Sequence, residues 1–148
     1  MLLARDAFDA IRRHGEQAYP EECCGFLLGR SSPSGIEAHA IHRSDNRRSE
    51  FRERRYLMSP EDYLTAERRA RETGLDVVGF YHSHPDHPAR PSSTDLQEAT
   101  FPGFVYVIAS IREGAGEEIT AWSLVPDRSR FEEEQIALIE MRDVSLES

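Results

Sequence analysis

A chain of 148 residues with 39% apolar and 30% charged residues is long enough to bury a core, and its apolar runs are too short to span a bilayer. Its formal charge of −9, with 18 basic residues that are all arginine, opposes the phosphate neutralisation on which nonspecific nucleic-acid binding depends. Neither nucleic acid nor membrane is therefore expected as a partner. The start Met1-Leu2-Leu3-Ala4-Arg5-Asp6 has no signal-peptide core, so the expected residence is cytoplasmic.

Apolar residues at Ala4, Ala7, Phe8, Ile11 and Ala18 set a helical period over Leu3 to Ala18, which Tyr19-Pro20 ends. Glu21-Glu22 leads into Cys23-Cys24-Gly25-Phe26-Leu27-Leu28-Gly29, a short apolar run that predicts a buried strand. The adjacent cysteines point to opposite faces of that strand and lack the spacing of a zinc ribbon or a redox pair. They read as small buried hydrophobes of a reducing compartment. On residue chemistry alone, Glu22 ranks with any other acid in the chain. Ser31 to Gly35 is turn chemistry, and Ile36 to Arg43 alternates as the second strand of a hairpin.

Asp45 to Arg55 is densely charged with no clean period, which predicts a loop or exposed edge. The arginines of Arg47 to Arg55 leave a local positive excess that could meet an acidic surface. Tyr56-Leu57-Met58 reads as a short strand. Ser59-Pro60-Glu61-Asp62 then supplies a helix cap, a proline in the first turn and two acids. That helix runs through Tyr63, Leu64, Ala66 and Ala70 to a glycine stop at Gly74. Strand, helix and strand between Tyr56 and Tyr81 suggest a crossover unit.

Leu75 to Tyr81 is apolar and β-branched enough for a buried strand, with His82 and His84 at its end. Residues two apart in a strand share a face at about 6.5 Å, so both imidazoles can aim at one point while Ser83 faces away. Pro85 stops the strand, Asp86 to Pro91 is a loop, and Ser92-Ser93-Thr94-Asp95 starts a helix. Asp95 can then swing back and offer a third ligand. Two imidazoles and a carboxylate leave one position open, the donor set of a catalytic Zn²⁺. Phe101-Pro102-Gly103 is a turn and Phe104 to Ser110 a strongly apolar strand. Arg112 to Gly116 turns into a partner strand, Glu118 to Val125, and Phe131 to Ile139 fits a helix by its glutamates or an edge strand by its alternation, the strand being preferred. No repeat or linker divides the chain, which predicts a single domain over 1–148.

His82-Ser83-His84-Pro85, seven residues to Ser92, then two to Asp95, resembles the signature of the JAMM (MPN+) metalloprotease family without a departure in spacing. The same resemblance places a catalytic acid in Glu-x-Cys-Gly on the strand before a hairpin. Glu22-Cys23-Cys24-Gly25 fits that pattern and Glu21 does not. The resemblance implies an α/β fold, a curved mixed β-sheet flanked by helices, with one Zn²⁺ per chain on His82, His84 and Asp95. It implies Glu22 as general base and Ser92 as oxyanion donor. It further implies cleavage of a peptide or isopeptide bond after the Gly-Gly tail of a ubiquitin-like or sulfur-carrier protein. Only Leu96 to Gly103 separates Asp95 from the next predicted strand, which points to the compact prokaryotic type. Two rivals are a noncatalytic MPN scaffold, disfavoured by the intact residue set, and a zinc hydrolase or deaminase of another kind. The His-Glu-x-x-His and Pro-Cys-x-x-Cys signatures of that second rival are missing.

Overall fold

The computed structural model describes residues 1–44, 59–99 and 101–141. Its elements in chain order are β1 (Leu2–Ala4), α1 (Arg5–Ala18), β2 (Cys24–Ser32), β3 (Gly35–Ser44), α2 (Pro60–Glu72), β4 (Asp76–Pro85), α3 (Ser93–Glu98), β5 (Val105–Arg112), β6 (Ala115–Leu124), β7 (Phe131–Glu134) and β8 (Ala137–Ile139). The strands form one eight-stranded sheet in the order β7-β6-β5-β4-β2-β3-β1-β8. It is mixed: β4 runs parallel to β5 and antiparallel to β2, and β1 runs parallel to both β3 and β8. No helix among the described residues is long and apolar enough to cross a membrane.

The sheet is strongly curled, and its connectivity requires this. β7 and β8 occupy opposite edges, yet only Gln135 and Ile136 separate them in the chain. Two residues bridge at most about 11 Å, so the edges must approach one another. α1 lies within the curl and packs on β3 and β1 from one half and β5 and β6 from the other. Ile11, Leu3, Leu27, Tyr81, Val107 and Ile111 form the core there. On the outer face Ala66 and Ala70 of α2 pack over Phe26, Leu28, Phe80 and Tyr106. Both cores are what a sheet buried on two faces needs, and they explain the near-continuous apolar runs of β2, β4 and β5.

Several boundaries differ from expectation. Leu3 and Ala4 belong to a strand, not to the first helix, because Leu2 and Leu3 pair with β3 and β8. A helical period cannot register partners that distant in sequence. Phe131 to Ile139 is two strands on opposite edges instead of one edge strand. The hairpin turn after β5 tightens to Glu113 and Gly114, both with positive φ, and β5 and β6 extend to either side of it. The predicted cap of α2 is present as a reciprocal box between Ser59 and Asp62. α2 links β3 to β4 across β2, so a crossover exists. The strand expected at Tyr56 to Met58 and the charged segment Asp45 to Arg55 lie outside the described residues.

Candidate metal centre

β4 carries the centre. Its pairing ends at Pro85, as expected, and up to that end β5 supplies a parallel partner: His82 lies beside Ile108, His84 beside Ser110 and Pro85 beside Ile111. His82 and His84 therefore sit on rigid paired backbone, on the outer face together with Phe80. Ser83 points inward and is fully buried.

Asp95 reaches the histidines from α3. The helix opens with a capping box in which Ser92 Oγ accepts from the Asp95 N–H at 3.0 Å. Ser92 N–H returns a bond to Asp95 Oδ2 at 2.8 Å. The cap is Ser92, and it fixes the Asp95 carboxylate as well as the helix start. Capping uses a lone pair of the Ser92 hydroxyl, so its proton can still be donated elsewhere.

The three side chains converge. His82 Nε2 and His84 Nε2 are 3.1 Å apart, and Asp95 Oδ1 and Oδ2 lie 3.1 Å from His82 Nε2 and 3.0 Å from His84 Nε2 respectively. Tetrahedral metal bonds of about 2.0–2.1 Å place neighbouring ligand atoms roughly 3.3 Å apart, close to this triangle. The protonation states also suit a cation. Burial pushes the His82 imidazolium towards its neutral, ligating form. Burial alone would raise the Asp95 carboxyl, but the two imidazoles set against it, His82 first, outweigh burial and hold Asp95 well below the usual carboxylate range. His84 Nδ1 is 2.8 Å from the Pro88 carbonyl, to which it donates, leaving a lone pair on Nε2. The donor set and its arrangement fit Zn²⁺.

Glu22 lies two residues before β2. Cys24 pairs with His82, and the Ser83 N–H bond to the Cys23 carbonyl at 3.0 Å carries the ladder one step on. The next position sets Glu22 across from His84, and alternation from Cys24 gives it the outer face. Glu22 is only 3% exposed, whereas Glu21 is partly exposed. The glycine of this stretch has a steric reason: Gly25 lies opposite Tyr81, and a Cβ there would run into the Tyr81 ring. Cys23 and Cys24 are both buried, and burial pushes the Cys23 thiol up to about 11 despite a hydrogen bond with Ser83. They are packing residues, as expected.

His82 and His84 at the end of β4 and Asp95 at the start of α3 are thus brought together. Sequence reasoning did not find the groups behind them: Ser83, the Pro88 carbonyl and the hydroxyls of Ser110 and Thr120. Ser83 is only the variable position of the His-x-His motif and the others belong to none, and a lone hydroxyl in a strand gives no signal of its partner.

Comparison with known proteins agrees with this geometry. A family described as prokaryotic homologs of the JAB domain matches residues 4–125. The desampylase of Haloferax volcanii is 38% identical over 114 residues, covering 74% of this chain and 80% of that protein. The CysO-cysteine peptidase of Mycobacterium tuberculosis is 28% identical over 125 residues, 84% of this chain and 83% of its own length. A protein of Salinibacter ruber solved in solution superposes with a TM-score of 0.76 at 59% identity, covering 94% of this chain and 92% of that one. The chain belongs to the prokaryotic homologues of the JAB domain, the compact prokaryotic branch of the JAMM family.

Proposed function

We propose that this protein is a zinc-dependent hydrolase that cleaves the bond following the C-terminal Gly-Gly of a ubiquitin-like or sulfur-carrier protein. The observation that carries the chemistry is the buried triangle of His82, His84 and Asp95; the burial of Glu22, two residues before the Cys24–His82 pair, supports its role as the base. The substrate class is supported by the relatives whose names record desampylation and the removal of cysteine from CysO.

Nε2 of His82, Nε2 of His84 and the Asp95 carboxylate would hold the ion, which supplies acidification of water and polarisation of the scissile carbonyl. The Glu22 carboxylate takes the proton of the attacking water and delivers it to the leaving amine. The Ser92 hydroxyl donates to the oxyanion that forms on the substrate carbonyl, while its lone pair keeps α3 capped. Near the centre, Phe26, Tyr63, Leu64, Phe80 and Phe101 line an apolar groove of about 410 Å³ that begins two residues before His82 on the same face. A carrier tail held extended across this face would present its carbonyl to the centre.

The test is a carrier fusion bearing an extra residue or amine beyond Gly-Gly, with products read by mass spectrometry. Cleavage directly after the terminal glycine is expected, and replacing that glycine by valine should suppress it. Efficient cutting of an unrelated unfolded protein, with no preference for Gly-Gly tails, would make the enzyme a general peptidase. Reversing Arg52, Arg54 and Arg55 to glutamate should weaken carrier binding in a salt-dependent way if that segment meets an acidic surface.

A further inference from the structure

The carbonyl behind His84 is held from both sides. Residues 86–91 leave the end of β4 and pass over β5 and β6 before returning to α3. Ser110 on β5 is the lateral partner of His84, and Thr120 on β6 is the partner of Ile108, which itself lies beside His82. Lateral partners share a face, so both hydroxyls rise from the face that carries the histidines. Ser110 Oγ donates to the His87 carbonyl at 2.7 Å, and Thr120 Oγ1 donates to the Ala89 carbonyl at 2.6 Å. The carbonyl between these two is that of Pro88, the acceptor for His84 Nδ1. The direction of the Thr120 bond is settled by its neighbour. The Trp122 indole N–H can only donate, and it does so to Thr120 Oγ1 at 2.8 Å, which commits the threonine proton to Ala89.

We propose that Ser110 and Thr120 are positioning residues for the metal centre. By clamping the carbonyls of His87 and Ala89 they aim the Pro88 carbonyl at His84 Nδ1, and so fix the tautomer and ring plane in which Nε2 faces Asp95 and His82. The proposal rests on the reading that these three side chains hold a metal. Pro88 has no amide hydrogen to anchor it, and its carbonyl also accepts the Arg90 N–H at 2.8 Å, so the clamped residues on either side share with that turn in setting its orientation. A loop secured only for stability would need hydroxyl bonds anywhere along its length. Here they fall on the residues either side of the one carbonyl that touches a ligand. Ser110 and Ala89 are both buried, so water does not readily replace either bond.

The experiment measures zinc affinity by competition with a chromogenic chelator, together with the visible spectrum of the Co²⁺-substituted protein. Thermal unfolding of the metal-free protein serves as the control for stability. Thr120→Val removes the donor and keeps the shape, Thr120→Ser keeps the donor, and Ser110→Ala removes the other clamp. Thr120→Val and Ser110→Ala should each weaken zinc binding by about 10- to 100-fold, the scale for partners of ligating histidines, and shift the Co²⁺ absorption. Thr120→Ser should stay near wild type in both. Wild-type affinity and an unchanged Co²⁺ spectrum in Thr120→Val and Ser110→Ala would overturn the proposal, whatever happens to the unfolding temperature. Should Thr120→Val not fold, Ser110→Ala decides by the same criteria. A wild-type protein without zinc affinity would instead overturn the reading of the centre itself.

Discussion

Ser83 and Cys23 are joined twice: the Ser83 N–H donates to the Cys23 carbonyl at 3.0 Å, and the Ser83 hydroxyl accepts the Cys23 N–H at 2.8 Å. The residue between the two histidines thus pins the strand entrance where Glu22 stands. Ser83→Ala leaves a buried amide without its acceptor, which costs about 1–3 kcal/mol. Zinc affinity should be retained, because both histidines keep their β5 partners, while kcat falls. Chelator competition and steady-state kinetics separate these effects. A variant with wild-type stability and rate would show that the double bond does not position Glu22.

Elemental analysis of purified protein should find close to one zinc per chain. Asp95→Ala should lose most of it, since the carboxylate bridges toward both histidines. Full zinc in both His82→Ala and Asp95→Ala would remove this site from consideration.

Proton transfer and metal holding are separable. Glu22→Gln should keep zinc and abolish hydrolysis, because the amide cannot accept the water's proton. Glu21→Gln should be nearly silent. Ser92→Ala should lower kcat by about 10²–10³ with zinc largely retained. It should also cost about 1 kcal/mol of stability from the lost cap. Ser92→Thr keeps both the cap and the donor and should stay active. Equal losses in Glu22→Gln and Glu21→Gln would overturn the assignment of the base.

Asp86 ties three elements together. Its carboxylate accepts from the Glu113 N–H at 2.8 Å and from the Tyr19 hydroxyl at 2.6 Å. These bonds, the Glu113 amide first, hold its carboxyl below the ordinary value of 3.8. A carboxyl with a lowered folded pKa contributes stability above its unfolded value and loses it as pH falls through the folded one. Asp86→Asn tolerates the positive φ of 57°, removes the charge and replaces one of the two acceptor oxygens by a donor. Its Tm deficit against wild type should be full above about pH 5 and shrink towards pH 2. Calorimetry across that range checks it; a deficit equal at both ends would mean that the carboxylate charge is not what matters.

The metal triad was legible because its geometry is local. His82 and His84 need only a strand, and Asp95 needs only a capped helix start within reach, so periodicity and spacing carry the whole inference. Glu22 was different. Nothing in a Glu-Glu pair says which acid turns inward; that depends on a ladder between β2 and β4 across 60 residues. Resemblance to a family identified it where residue chemistry could not. The clamp of Ser110 and Thr120 was invisible for a similar reason, since each hydroxyl meets a backbone carbonyl, and backbone carbonyls leave no mark in a sequence. At the N-terminus the periodicity misled, because Leu3 and Ala4 fit a helix locally while their actual partners are remote strands.

That remoteness has a consequence for how the chain matures. Met1 donates its amino group to the Gln135 carbonyl, a separation of 134 residues, and Ala137 N–H bonds back to Met1. One strand of β1 is therefore paired only after the segment that supplies β8 has left the ribosome, while the same segment supplies β7 to the far edge of the sheet. A nascent chain stalled before Phe131 has β6 and β1 both without their outer neighbours, two open ladders awaiting a single strap. Such high-contact-order closure is slow, and until it occurs the chain offers sites for pairing with other chains. The last described strands thus act as a clasp, fastening both margins of the sheet in one late step.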